Sequence, residues 1–476
     1  MRLQRFEVPG LAHYSYLIES GPNAIVIDPK RDIDTYIEYA AGRNLEITHV
    51  LETHIHADYA SGARELAQIT GAELWLSAHD SGEDFEYQFP HREFRDGEEL
   101  VRGGLRLTAL HTPGHTPEHL SYVVYDDSRC RMPMALLSGD FIFVGSLGRP
   151  DLLGESSKKR LAGQLFDSLR QKIGPLPDGL EVHPAHGAGS LCGAGLSERQ
   201  QTTLGYERCC NQFFQHHDRQ RFIEHVLSTV PPFPAYYKRM KRVNSAGPII
   251  LNGMPGDQAI AAAEFRRMVE AGDAVVIDLR RPEAFGGAHI PGALSIGADD
   301  KLAMWAAWIV PYDRPILLVG DDGSSPEEAR RALVRVGLDG IRGYLRGGMK
   351  AWIEAGYEQA HVPQISVEEL ENALKKGAHV LDVRSDGEWH AGHIEGAQHI
   401  MGGDLPGLTG EVPDDRAVHV ICGSGYRSSI ATSILRRAGF KDVVNVVGGM
   451  TAWTRRDLPV VATAESSAER MAEQPT

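Results

Sequence analysis

Apolar and polar positions follow one rhythm through the first two hundred or so residues and another after residue 250. In residues 1–205 short apolar runs alternate with turn residues. S-Y-L-I-E-S, Gly21-Pro22-Asn23 and A-I-V-I-D-P predict a hairpin, and Asp34 to Ala41 predicts a helix stopped by Gly42. The run Val50-Leu51 ends abruptly in polar residues, after which Ala60 to Thr70 has helix-forming composition up to Gly71. Three further strand-like runs, L-R-L-T-A-L, M-A-L-L and G-L-E-V, also end in polar clusters. Arg208 to Val243, rich in His, Arg, aromatics and Pro, reads as a helix followed by an extended linker.

From about residue 250 the chain repeats itself. V-V-I-D-L-R-R-P-E-A-F-G-G-A-H-I-P-G-A matches V-L-D-V-R-S-D-G-E-W-H-A-G-H-I-E-G-A, and L-R-G-G-M-K-A-W matches V-V-G-G-M-T-A-W. Each copy alternates buried strands with helices, which predicts a parallel sheet covered on both faces. The boundaries expected are 1–245, 246–360 and 361–461, with a small, polar, charged tail at 462–476 expected to be disordered.

Composition narrows the class. A chain of 476 residues is too long for one core. Its net charge of −15 argues against a nucleic-acid face and against anionic membranes. No run approaches the roughly 18 apolar residues of a membrane span, and the N-terminus lacks the apolar core of a signal peptide. The five cysteines make no disulfide framework, and a reducing cytoplasm is the expected location.

The chemistry centres on V-L-E-T-H-I-H-A-D-Y-A-S-G (50–62), where His54, His56 and Asp58 stand at alternate positions after a strand. Open α/β sheets place their chemistry at such strand ends. A lone His-x-His would read as a polar loop, but H-T-P-G-H-T-P-E-H (111–119), L-S-G-D (137–140) and H-P-A-H-G (183–187) supply partners at three more strand ends. The set resembles the metallo-β-lactamase superfamily, an αββα sandwich with metal along one sheet edge. The expected fold class is therefore α/β, an N-terminal αββα sandwich followed by two parallel α/β domains.

The chain departs from that pattern at Tyr59, where the superfamily usually has a His that helps hold a second metal. A phenol with a pKa of about 10 is a poor ligand, so one site is expected rather than two. Two His and one Asp with open positions form the facial triad of non-haem Fe(II) oxygenases. This resembles the persulfide dioxygenase branch, which implies one Fe(II) per chain on His54, His115 and Asp140; zinc can replace it in an isolated or crystallised sample. By the same resemblance His56 sits near the metal without being a primary ligand, although a four-ligand set including it stays open. Asp58 and His186 are the other dedicated residues. The stretch 143–152 resembles that branch too. Arg149 then either meets a substrate carboxylate or pairs with Asp151. Cys192 is either a thiol close to the substrate or a small buried hydrophobe.

The second repeat carries V-I-C-G-S-G-Y-R-S-S (420–429). Cys422 opens a strand-to-helix loop of Gly423, Ser424, Gly425, Tyr426 and Ser428, whose N–H groups and helix N-terminus, with Arg427, favour a thiolate and can hold an anion. With Asp382, Arg384 and G-G-M-x-A-W, this resembles a rhodanese, which carries sulfur as a cysteine persulfide. His393, matched by His289, reads as structural. The first repeat has Gly320 or Asp321 at the nucleophile's place and reads as a spacer or docking surface.

The resemblances imply oxidation of a small-molecule thiol persulfide to sulfite with O2, coupled to sulfur transfer at Cys422 involving sulfite or thiosulfate, in a homo-oligomer. One rival is a two-zinc thioester hydrolase resembling glyoxalase II. The other is a non-oxidising sulfur carrier.

Overall fold

A computed structural model describes residues 1–230, 233–323 and 325–462. The tail expected at 462–476 lies almost wholly outside the described residues. The chain forms two compact units, Met1–Met254 with Arg331–Asp339, and Pro255–Arg330 with Gly340–Thr476.

The first unit is built on two six-stranded sheets. In one, Arg2–Val8, His13–Ser20, Asn23–Ile27, Glu46–Leu51, Glu73–Ser77 and Arg92–Phe94 lie side by side in chain order. The first three pair antiparallel and the rest parallel. In the other, the order is Thr202–Thr203, Glu181–Pro184, Ala135–Gly139, Leu120–Asp126, Leu105–His111 and Glu99–Arg102. Tyr16, Ile18, Ile27 and Leu51 of one sheet meet Leu107, Leu120, Tyr122 and Leu137 of the other in a shared core. Helices Asp34–Ala41 and Ala63–Thr70 cover the first sheet's outer face, while Glu155–Ser168 and Arg219–Thr229 cover the second's. The layers are αββα, as expected.

The stretch expected to be a helix and linker is more helical than that. Leu204–Cys210, Arg219–Thr229 and Tyr236–Ala246 are all helices. The third lies just beyond the prolines that predict extended chain.

The second unit holds two five-stranded parallel sheets of identical topology. Their orders are Ala259–Ile260, Ile341–Leu345, Ile316–Val319, Val275–Asp278, Leu294–Ser295, and Gln364–Ile365, Val443–Val446, Val418–Ile421, His379–Asp382, Gln398–His399. Local sequence fixes the helix starts: Ser366 with Glu369, and Ser385 with Glu388, each form a capping box.

Candidate functional site

The loop 52–61 leaves the strand Glu46–Leu51 beside the turn after Asn23–Ile27. There Asp28 takes a left-handed φ of 53°. Its carboxylate accepts from the Thr53 N–H at 2.7 Å, the Thr53 hydroxyl at 2.9 Å and Nε2 of His56 at 3.1 Å. Because the Thr53 proton goes to Asp28, Oγ1 accepts from Nδ1 of His54 at 2.9 Å, leaving Nε2 of His54 a lone pair. His115 reaches the same state independently, with Nδ1 donating to the Arg149 carbonyl at 2.9 Å. Burial, then neighbouring positive charge, pushes both rings well below the usual histidine pKa, so both are neutral.

Nε2 of His54 and of His115 face Oδ2 of Asp140 at 3.7 and 3.5 Å. All three atoms are buried without a hydrogen-bond partner, and such atoms cost about 1–3 kcal/mol each if left so. A cation among them removes that cost. Two neutral imidazoles and one carboxylate within 4.8 Å of one another are the donor set of a facial metal site.

The other oxygen of Asp140 is taken. His186 donates to it from Nδ1 at 2.6 Å and to Oδ2 of Asp58 from Nε2 at 2.8 Å. Burial opposes charge on this ring, but Asp140 and Asp58 outweigh it and hold His186 well above the usual pKa. Cys192 joins Asp58 and His186 in a second group within 4.8 Å. Burial, then Asp140 and Asp58, push its thiol well up, so it stays protonated. Tyr59 donates to the Asp28 carbonyl at 3.2 Å, with its ring 4.0 Å from that of His13. Burial and Asp28 raise its pKa well above the ordinary value.

Three outer supports fix these groups. His119 accepts the Asp140 N–H at 3.1 Å, and a Cβ on Gly139 would sit 2.5 Å from that same ring nitrogen, so this left-handed turn excludes any larger residue. Glu118 accepts the Ile55 N–H at 2.8 Å. The helix Tyr236–Ala246 does the rest. Asn244 donates to the carbonyls of His56 at 2.8 Å and Tyr59 at 2.7 Å and accepts from Ser61 N–H at 2.9 Å, while Lys241 donates to the Ile55 carbonyl at 3.0 Å.

In the second unit, Cys422 follows the strand Val418–Ile421 and is fully buried. Its Sγ accepts from Gly425 N–H at 3.1 Å and lies 3.5 Å from the Ser428 hydroxyl, at the start of helix Tyr426–Arg437. Arg427 donates to both oxygens of Glu388 at 2.6 and 2.7 Å. Arg384 is locked on Asp382 as Arg280 is on Asp278. His393 stacks on Trp389 as His289 does on Phe285, which fits a structural role.

The first repeat does more than separate. Its Ser295 hydroxyl meets that of Ser429 at 2.9 Å, and its N–H donates to Ser433 at 3.1 Å. Tyr426 donates to the Gly297 carbonyl at 3.3 Å and to Asp299 at 3.2 Å. A cavity of about 760 Å³ lies between Ser424, Gly425 and Tyr426 on one side and Arg280, Asp299 and Asp321 on the other.

Residues 8–186 match the family model for the metallo-beta-lactamase superfamily, and residues 261–355 and 366–456 each match that for the rhodanese-like domain. A solved structure of a metallo-beta-lactamase from Staphylococcus aureus subsp. aureus COL is 34% identical, covering 73% of this chain and 99% of that one, with a TM-score of 0.62. The chain belongs to the metallo-β-lactamase superfamily. Its superfamily domain is followed by two rhodanese-like domains. A hydroxyacylglutathione hydrolase of Methylobacillus flagellatus is 32% identical over 176 residues, which are 37% of this chain and 62% of that protein. Hydroxyacylglutathione hydrolase GloC of Haemophilus influenzae is 27% identical over 215 residues, 42% of this chain and 91% of that one.

Within the metallo-β-lactamase domain the structure brings His54, His115 and Asp140 together, with Asp58, His186 and Cys192 in the adjoining group. The His56 ring lies 4.1 Å from that of His54, tilted by 50°, but its Nε2 is turned to Asp28. Arg149 is turned to Asp151 at 2.7 and 2.8 Å, with its guanidinium over Phe233, so its fork is not presented to a substrate carboxylate here. Sequence reasoning missed Asp28, Thr53, Glu118, His119, Lys241 and Asn244. Asp28 ends a strand, a visible signal; Asn244 offered none.

Proposed function

We propose that the N-terminal domain oxidises a low-molecular-weight thiol persulfide to sulfite with O2 at a single Fe(II). Cys422, in the same reading, passes sulfane sulfur between persulfide, sulfite and thiosulfate. What supports the first half is the convergence of three unpartnered atoms from His54, His115 and Asp140 beside a His186 whose two nitrogens are both engaged. A ferrous ion held by those three atoms would supply open positions for the persulfide sulfur and for O2. The residues around it keep the two rings neutral, hold Asp140 through Oδ1 and its backbone N–H, and bury the centre away from bulk water. Tyr59 and His56 both face Asp28, which leaves a second metal short of donors.

The oxidation balances as persulfide, O2 and one water giving thiol and sulfite. In the sulfur transfer, the Cys422 thiolate attacks a sulfane sulfur, and the thiolate or sulfite it displaces leaves with the bond pair. Sulfite made at one site is thus an acceptor at the other.

Hydrolysis of a thioester by two zincs is the second reading, favoured by the group of Asp58, His186 and Cys192 and by the similarity to the two hydroxyacylglutathione hydrolases. It requires His186 to release a carboxylate.

Anaerobic iron loading, metal analysis and an oxygen electrode decide between them, with glutathione persulfide as substrate. About one iron per chain, with O2 uptake matched by sulfite, is expected. Two zincs with thioesterase activity and no O2 uptake would overturn it, and an iron-loaded protein that consumes no O2 would leave a sulfur carrier.

A further inference from the structure

The loop around Cys422 carries a cation whose fork is already filled. Arg427 gives both of its terminal nitrogens to Glu388, and that paired geometry is what a guanidinium otherwise offers to an oxyanion. The pair is part of the loop's wall: a Cβ on Gly423 would sit 2.9 Å from Nη2 of Arg427 and 3.7 Å from Oε1 of Glu388. It also stands at the mouth, with side chains 25% and 40% exposed, while Cys422 behind it is fully buried.

The two repeats act as a control on each other. Gly320 occupies the place of Cys422: it follows the matching strand, and its carbonyl accepts from Met349 N–H as that of Cys422 does from Met450 N–H. Five residues after each, Ser325 stands where Arg427 does. Six residues after the matched Asp278 and Asp382, Ala284 stands where Glu388 does. The ion pairs of Asp278 with Arg280 and Asp382 with Arg384 persist in both repeats. Scaffold residues are thus retained, whereas the nucleophile, the arginine and the glutamate are absent together. Glu388 also caps its own helix through Ser385, a residue that Arg281 replaces in the first repeat, so that repeat lacks the glutamate together with both of its partners, the capping serine and the arginine.

We infer that Glu388 sets the sulfur-donor preference of Cys422: by filling the fork of Arg427 it withholds that cation from thiosulfate and favours an organic persulfide. The inference rests on the sulfur-transfer reading of Cys422. With thiosulfate, the Cys422 thiolate attacks the outer sulfur, its S–S bond to the sulfonate breaks, and sulfite leaves with the electron pair. With a protonated persulfide, the attack falls on the terminal sulfur, the carrier thiolate leaves with the pair, and the proton stays on the transferred sulfur. The first donor brings two negative charges to a mouth that already holds a carboxylate. The second brings none to the transferred sulfur.

The test uses the full chain with Glu388→Gln and Glu388→Ala. Glutamine keeps an acceptor for the Ser385 N–H that Glu388 now caps, and alanine is the residue with which the first repeat folds at this position. Steady-state kinetics with thiosulfate and with glutathione persulfide are read alongside mass spectrometry of sulfur gained by Cys422. Removing one partly screened charge a few ångströms from a dianion is expected to lower KM for thiosulfate roughly tenfold and to change kcat/KM for the persulfide less than about twofold. A thiosulfate KM that stays or rises in both variants, or an equal loss of kcat/KM for both donors, overturns the inference. Wild-type protein that gains no sulfur from either donor would instead remove the sulfur-transfer reading, and this inference with it.

Discussion

Glu388 keeps its charge far into acid because Arg427 donates to both of its oxygens, and its pKa falls from 4.5 to about 2. A depressed carboxyl contributes stability that is fully present above pH 4.5 and is lost as the pH falls toward 2. Both side chains are part-exposed, so solvent screening reduces the contribution to about 1 kcal/mol. Denaturation at pH 5.5 (~1 unit above that range) and near pH 3 should show wild type and Glu388→Gln differing by about that amount at the higher pH and by less at the lower. A difference that grows on acidification would contradict the pairing. At this scale the sequence was informative where residue chemistry is unusual: His54, His115, Asp140 and Cys422 stand out at strand ends. The groups that orient them, Thr53 against His54 and His119 against the Asp140 backbone, look ordinary in sequence, because a hydroxyl or imidazole becomes an orienting partner only once the fold aims it.

The helix Tyr236–Ala246 illustrates what periodicity does not reveal. Its K-R-M-K-R run lies in the stretch expected to be an extended linker, yet it is helical, and Lys241 and Asn244 are buried at 2% and 1% exposure against loop carbonyls. Tertiary contact decided the burial, and no local pattern encodes contact with a loop so distant in sequence. Asn244→Ala should leave two buried carbonyls and one N–H unpaired, destabilising the first unit by about 3 kcal/mol. Urea denaturation checks the stability. Chelator competition on the same variant should show weaker metal retention, because the loop bearing His54 loses its backing. Unchanged stability and retention would mean that the helix merely covers the site.

The two repeats were legible as domains, since strand patterns and the G-G-M-x-A-W match fix their topology, but their mutual packing was not. Helix Tyr426–Arg437 is buried continuously from Ser428 to Leu435. A helix buried on all sides needs a second surface besides its own sheet, and the Ser295 and Tyr426 contacts come from the first repeat. Residues 361–462 produced alone should therefore lose most of their sulfur-transfer rate and aggregate, while a chain beginning at 255 retains both activity and solubility. Light scattering and persulfide formation at Cys422 measure this, and a fully active, monodisperse single repeat would refute it. Among the described residues no helix is long and apolar enough to cross a membrane.

The clasp of Asn244 and Lys241 on the loop 55–61 also imposes an order on biosynthesis. A ribosome delivers the histidines long before it delivers their clasp, so the nascent N-terminal sandwich emerges with its ligands in hand and their backbone unsecured. Stable ion capture should then begin only after residue 246 has cleared the exit tunnel, and stalled chains released short of that point should emerge metal-poor.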